Sequence, residues 1–292
     1  MIIVQLIGGL GNQLFQYALS RQLAINHGQD VKLDTHWYGT QSLRHYQLAD
    51  LNIEATLVSF DEINRFIPFY YKRSLASRAI HRIFGRSIPK FYTTLGRIVV
   101  EKPAFKFAPE VLEIKKKVLL SGFWQNQNYF KGIKSTLRQE IQLRKGMGGP
   151  YFYKMRDEML AKNTVSIHIR RRDFLKNPTF SICPISYYLN AITHISERLQ
   201  DAAFYVFSDD LAWARENLNF GKHFLFVDQC QMASEELLLM STCKHHIIAN
   251  STFSWWAAWL GDESALVISP AQWYTDGTNL YDFIPEQWIT LE

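Results

Sequence analysis

The stretch Thr164-Val-Ser-Ile-His-Ile-Arg-Arg-Arg-Asp173 concentrates more chemistry than any other part of the chain. Val165, Ile167 and Ile169 alternate, as residues on one buried face of a strand do, and Ser166, His168 and Arg170 share the other face. Arg171, Arg172 and Asp173 emerge at the strand's carboxyl end, where open α/β sheets bind ligands. Adjacent guanidiniums repel one another unless an anion or solvent separates them, and their forked N–H groups match phosphate oxygens. The pattern favours a diphosphate clamp. The alternative is a basic strand end paired with nearby carboxylates, Asp173 included. His168, behind Arg170 on the strand, suits a hydrogen bond to a nucleobase or ribose.

Three other stretches carry polar groups at strand–helix junctions. Phe204-Tyr-Val-Phe-Ser-Asp-Asp210 is a strand ending in Ser208, Asp209 and Asp210; two adjacent acids are able to bind a metal, but contacts to ribose or a cap on the next helix fit better, because the chain has no Asp-x-Asp. Asn250-Ser251-Thr252 precedes the helical run Phe253-Ser254-Trp255-Trp256-Ala-Ala-Trp259-Leu260. Asn250 or Ser251 is a natural N-cap, and the same helix start is able to hold a phosphate. Trp255 and Trp259, four apart on one face, read as core. Glu235 and Glu236 open another helical run, where acids are ordinary dipole partners.

Near the N-terminus a strand over 2–7 runs into Gly8-Gly9-Leu10-Gly11 and then a helical pattern. Gly9-x-Gly11 invites a dinucleotide reading, with Asp34 where a ribose-binding acid belongs, but the third glycine of that fingerprint is replaced by Leu14. What remains is bare backbone at a helix start, with Asn12 and Gln13 on the same opening, as a ligand site or a structural tight turn.

The elements that position these groups alternate strand and helix throughout, an α/β pattern with parallel sheets. Lys145-Gly-Met-Gly-Gly-Pro150 reads as a linker, after which the rhythm restarts, so two α/β domains are expected, 1–148 and 149–292, with the last helix packing back on the first. The 292 residues suit that division, and 47% hydrophobic with 20% charged residues excludes a disordered or fibrous chain. A net charge of +5 fits an anionic ligand without requiring nucleic acid. The 3 cysteines have no Cys-x-x-Cys, which argues against a disulfide framework or structural zinc and for a reducing, cytoplasmic location. No apolar run is long enough to span a bilayer. Residues 63–100 contain no acid and carry Arg65, Lys72, Arg73, Arg78, Arg82, Arg86, Lys90 and Arg97, either a solvated face or a docking surface for an anionic membrane at the inner face of the cell membrane.

Gly8-Gly-Leu-Gly-Asn-Gln-Leu-Phe-Gln-Tyr-Ala18, His168-Ile-Arg-Arg-Arg-Asp173, Phe207-Ser-Asp-Asp210 and Asn250-Ser-Thr-Phe-Ser-Trp-Trp256 together resemble the α-1,2-fucosyltransferases of glycosyltransferase family 11, in the family's order. The resemblance implies a GT-B fold, two Rossmann-like α/β domains facing each other across a cleft. It implies an inverting transfer of L-fucose from GDP-β-L-fucose to the 2-hydroxyl of a terminal galactose, on an oligosaccharide or glycolipid, with no metal. It implies that Arg170 binds the β-phosphate with support from Arg171, and that Gly9 and Gly11 offer N–H groups. His168 and Glu236 would read the guanosine, and Ser251, Thr252, Phe253 and Ser254 would complete the phosphate pocket. Asp173 is the candidate base, or else an orienting partner of Arg170 or Arg171. Two departures stand out: relatives often carry Asp at the position of Glu236, and 55–110 matches no family pattern, which places acceptor choice there. A nucleotide-dependent oxidoreductase and a non-catalytic glycan- or nucleotide-binding protein are the competing functions.

Overall fold

A computed structural model describes residues 1–40, 43–71, 87–218 and 223–292. Of the basic segment, Lys72, Arg73, Arg78, Arg82 and Arg86 lie outside the described residues. The chain forms two compact units. One comprises Met1–Tyr46 with Ile53–Leu137, the other Gln47–Asn52 with Arg138–Glu292.

The first unit is built on five parallel strands, β1 (Ile2–Gln5), β2 (Val31–Asp34), β3 (Thr56–Leu57), β4 (Ile98–Val100) and β5 (Val118–Ser121), in the order β3-β2-β1-β5-β4. A parallel sheet is covered on both faces, so its central strands are continuous apolar runs; Ile2, Ile3 and Val4 are all 0% exposed. The chain leaves β1 toward β2 and returns on the other side at β5, which puts a topological switch point beside Gln5 and the glycine loop. The helix Leu10–His27 follows, closed by Gly28 in the left-handed region, whose N–H donates to the Ala24 carbonyl.

The second unit carries β6 (Thr164–Ile169), β7 (Ala203–Ser208), β8 (Phe224–Phe226), β9 (His245–Ile247), β10 (Val267–Pro270) and β11 (Ile289–Leu291), again all parallel, in the order β11-β10-β9-β6-β7-β8. Its switch point lies between β6 and β9, so the arginine motif and the Asn250–Ser254 stretch leave the sheet side by side. Both faces of β6 are buried. Val165, Ile167 and Ile169 pack with Tyr187, Ala191 and Ile195 of the helix Ile185–Ser196. On the opposite face Ser166 and His168 are 1% and 3% exposed, and Ser166 Oγ lies 2.8 Å from His246 Nδ1. The polar face expected from alternation is therefore interior, because helices cover it too.

The glycine-rich segment does not separate the units. The division falls at Leu137, and Gly149 caps the helix Pro150–Leu160 within the second unit, its N–H donating to Glu235 Oε1 at 2.7 Å. Residues 47–52 also belong there: Asn52 N donates to the Gln142 carbonyl at 2.9 Å, and Arg144 Nε to that of Leu51 at 2.9 Å. The last helix, Thr252–Leu260, forms core within its own unit. Trp255 and Trp259 stack at 6.1 Å, and Trp255 Nε1 donates to the Phe283 carbonyl at 2.9 Å. The chain then ends on β11 instead of on a helix. Among the described residues, no helix is long and apolar enough to cross a membrane.

Candidate functional site

At the carboxyl end of β6 the backbone turns through Arg170–Asp173, and the turn is organised by Asp209, at the end of the neighbouring strand. The Asp209 carboxylate accepts the backbone N–H of Arg171 at 2.9 Å and of Arg172 at 3.2 Å, and pairs with Arg170 Nε at 3.3 Å. Asp173 holds the same guanidinium from its far end, Oδ2 to Nη2 at 2.6 Å. Two carboxylates thus fix the plane of Arg170, which also lies 5.8 Å from the Phe174 ring. A guanidinium held in this way keeps N–H donors for a ligand oxygen. Arg171 turns aside: its guanidinium sits 4.0 Å from the Trp213 ring centre and 3.7 Å from the Asp210 carboxylate. Asp210 caps the helix Leu211–Asn217, and its own N–H donates to Ser208 Oγ at 2.9 Å. Arg172 contributes backbone here and exposes its side chain.

His168 and Glu236 complete this end of the sheet. Burial, assisted by the Arg170 charge, depresses the His168 imidazole to about 3, so the ring is neutral at physiological pH. Its Nδ1 is buried without a hydrogen-bond partner, and its ring lies 5.7 Å from Phe253. Burial lifts the Glu236 carboxyl to about 7, against the pull of Arg170 and with reinforcement from Asp209. Glu235 serves the fold instead, accepting Gly149 N–H at 2.7 Å and Gln231 N–H at 2.8 Å.

The Asn250–Ser254 stretch divides by role. Ser251 is the N-cap, accepting Phe253 N–H at 3.3 Å, and Thr252 and Phe253 are partly buried in the first helical turn. Asn250 is 3% exposed and its Nδ2 donates to the carbonyls of Ser181 and Trp273 at 2.7 and 2.9 Å. Ser254 is 0% exposed and donates to carbonyls of its own turn. These two residues hold the loop, while Ser251–Phe253 remain at its surface.

In the first unit, Gly8 takes φ +82, and a Cβ there would collide with the Asn12 side chain, so both conformation and space demand glycine. Gly9 is the N-cap in extended geometry, and Gly11 is buried in the first turn. Asn12 Oδ1 accepts from Gln125 Nε2 at 2.8 Å. Gln13 is fully buried and its Nε2 donates to the carbonyls of Gly8 at 3.2 Å and His45 at 2.9 Å, so it shapes the loop. Arg44, which the sequence did not point to, lies beside this loop, its Nη1 3.6 Å from where a Gly9 Cβ would stand. It lies in an irregular stretch with no periodic pattern to flag it. Asp34, positioned for a ribose in the dinucleotide reading, is 0% exposed; its carboxylate accepts from His36 Nδ1 at 2.7 Å and from the Tyr71 hydroxyl. A carboxylate so engaged leaves the oxidoreductase reading without its ribose contact.

The family model described as "Glycosyl transferase family 11" matches residues 1–292. The chain belongs to glycosyl transferase family 11. It is 30% identical to an Escherichia coli alpha-1,2-colitosyltransferase, over 100% of this chain and 99% of the relative. It is 28% identical to the E. coli O-antigen biosynthesis glycosyltransferase WbnK, over 98% and 99%. Among solved structures, the fucosyltransferase NodZ from Bradyrhizobium superposes with a TM-score of 0.53 at 12% identity, covering 89% of this chain and 92% of NodZ. At that identity the likeness concerns fold alone, and the fold is of GT-B type. The family 11 chain is therefore a glycosyltransferase whose second unit brings Arg170, Asp173, Asp209, Glu236, His168 and the Ser251 helix start to one end of one sheet.

Proposed function

We propose that this enzyme transfers L-fucose from GDP-β-L-fucose, with inversion, to the 2-hydroxyl of a terminal galactose. The observation that carries the reading is Arg170, held in one plane by Asp173 and Asp209 at the switch point of the second unit. A donor diphosphate must be neutralised where the bond to C1 breaks, and a preorganised guanidinium supplies that charge without reorganising during the reaction. The Ser251 helix start adds backbone N–H groups. No metal is required in this reading, because Asp209 and Asp210 are engaged with the arginine loop and a helix cap. Glu236 accepts the N1–H and exocyclic N–H of guanine, and neutral His168, which like Glu236 feels the Arg170 charge, adds a further contact to the nucleoside; a carboxylate there distinguishes guanine from adenine. Asp173, paired with Arg170 at 2.6 Å, is the orienting partner of the clamp.

A second reading concerns the donor. The full-length relative named as a colitosyltransferase raises GDP-colitose, whose sugar lacks the 3-hydroxyl of fucose. Rates with GDP-fucose and GDP-colitose on one galactoside separate the two: faster transfer of fucose supports the first, and transfer of colitose alone replaces it. Transfer of neither, with GDP bound tightly, would indicate a non-catalytic nucleotide-binding protein.

The acceptor is a galactose-terminated oligosaccharide or glycolipid, and the basic 63–100 segment is proposed to rest on an anionic membrane. Its described part supports this through exposed Phe69, Phe91 and Leu95 and the cation Arg97. Co-sedimentation with phosphatidylglycerol vesicles that is abolished by salt fits this; equal sedimentation with neutral vesicles does not.

A further inference from the structure

A cavity of about 710 Å³ opens in the second unit between the stretch 181–184 and residues 270–281. None of the arginine-motif residues lines it. Its walls are fixed: Ser181 N donates to the Trp273 carbonyl at 3.2 Å, Thr275 N to that of Thr179 at 3.0 Å, and Phe180 bridges Tyr274 in antiparallel fashion. Asn250 fastens them from below through its two bonds to the Ser181 and Trp273 carbonyls. The cavity is thus a built feature of the fold, within the usual range of small-molecule sites, roughly 300–1,000 Å³.

Its lining decides the class of ligand. Among the described residues no Lys, Arg or His lines it, although the chain carries a net charge of +5, and the one charged lining residue among them is the acid Glu292. That composition disfavours phosphates and other anions. Trp273, Tyr274 and Tyr281 supply aromatic surface. Gln272, Thr278 and Asn279 supply polar groups that each make a bond within the protein, Gln272 Nε2 to the Tyr274 carbonyl at 3.3 Å, Thr278 Oγ1 to Asp276 at 2.6 Å and Asn279 Oδ1 from Tyr281 N–H at 2.7 Å, and each keeps a further donor or acceptor. A purely apolar ligand would leave the remaining amide atoms, Gln272 Oε1 and Asn279 Nδ2, unpaired when it excluded water. A pyranose answers both halves, with C–H faces for the rings and hydroxyls for the amides.

We infer that this cavity is a binding site for a neutral sugar ring, separate from the arginine site and independent of which nucleotide sugar is the donor. Saturation-transfer NMR on the whole protein with lactose, L-fucose and N-acetylglucosamine tests it, with calorimetry of GDP as a control for folding. Tyr281 is 47% exposed, so Tyr281→Ala perturbs the cavity without opening the core. The expected result is saturation of at least one sugar, a loss of about ten-fold in its affinity in Tyr281→Ala and in Asn279→Ala, and unchanged GDP binding. Saturation by lactose makes the ring part of an acceptor, whereas L-fucose saturating alone and displaced by GDP-fucose makes the cavity the place of the transferred sugar and overturns its separateness from the arginine site. Failure of all three sugars to bind, or equal affinity in wild type and both variants, overturns the inference.

Discussion

At the scale of single residues, the proposed chemistry turns on Arg170 and the two carboxylates that grip it. The leaving diphosphate gains negative charge in the transition state, and loss of one preorganised donor at such a position costs about 10²–10³ in kcat. Arg170→Ala is expected to lose that much. Arg170→Lys is expected to recover only part, because one ammonium cannot satisfy Asp209, Asp173 and a phosphate in one plane. Wild-type turnover in either variant would remove Arg170 from the reaction. Asp209 acts through the Arg170 guanidinium as well as through the backbone of Arg171 and Arg172, so its loss should weaken GDP binding in the wild type and by less once Arg170 is gone. A double-mutant cycle by calorimetry checks this; additive losses would make Asp209 a direct ligand contact. Glu236 gives the site a pH signature. Burial pushes its carboxyl up to about 7, and in the proposed function the ionised form accepts the guanine N–H groups, so GDP affinity should fall as pH drops below 7, and Glu236→Gln should flatten the profile. The raised value also means that the folded state holds this proton more tightly than the unfolded chain. Stability from this group is therefore full below the ordinary carboxylate range and declines as pH rises toward 7. Glu236→Gln should accordingly unfold at a higher temperature than wild type at pH 8, and an unchanged or lower Tm would contradict the burial argument.

At the scale of elements, two strand–turn–helix junctions do the positioning, and they differ in how much of them was legible. The strand β6 was readable from its β-branched alternation, and of the two readings of its arginine end the carboxylate pairing is present, with Arg170 on Asp173 and Asp209 and Arg171 on Asp210. The glycine loop was readable as a turn before a helix, but Gln13 and Asn12 were not, since their bonds to Gly8, His45 and Gln125 are set by tertiary structure. The same holds for Asn250 and Ser254, which look like ligand groups in sequence and tie loops in space. Asp210 was readable as a cap, and it caps. The loop itself makes a prediction. Gly8→Ala forces a side chain into the left-handed region and against Asn12, which should destabilise the protein by about 1–3 kcal/mol, seen as a lowered Tm. Equal stability would mean that the turn relaxes at little cost.

For the whole molecule, membership of family 11 was visible in four short motifs, three of which, the glycine loop, the arginine end of β6 and the Asn250 stretch, lie where a sheet's connections reverse, while Phe207–Asp210 ends the strand next to β6. The boundary between the units was not visible. A glycine-rich stretch reads as a linker in one dimension, whereas the contacts of Gly149 with Glu235, and of residues 47–52 with Gln142 and Arg144, are long-range. The central claim is that this protein joins fucose to the 2-hydroxyl of galactose with arginine in place of a metal. The direct measurement is incubation with GDP-fucose and a panel of lactose and type 1, type 2 and type 3 disaccharides in excess EDTA, with products read by mass and the linkage by NMR. The predicted result is one added deoxyhexose in α-1,2 linkage to galactose on at least one acceptor, at a rate that Mg²⁺ changes little. A product linked elsewhere, no transfer from GDP-fucose to any of them, or activity that vanishes with EDTA and returns with Mg²⁺ or Mn²⁺ would contradict it.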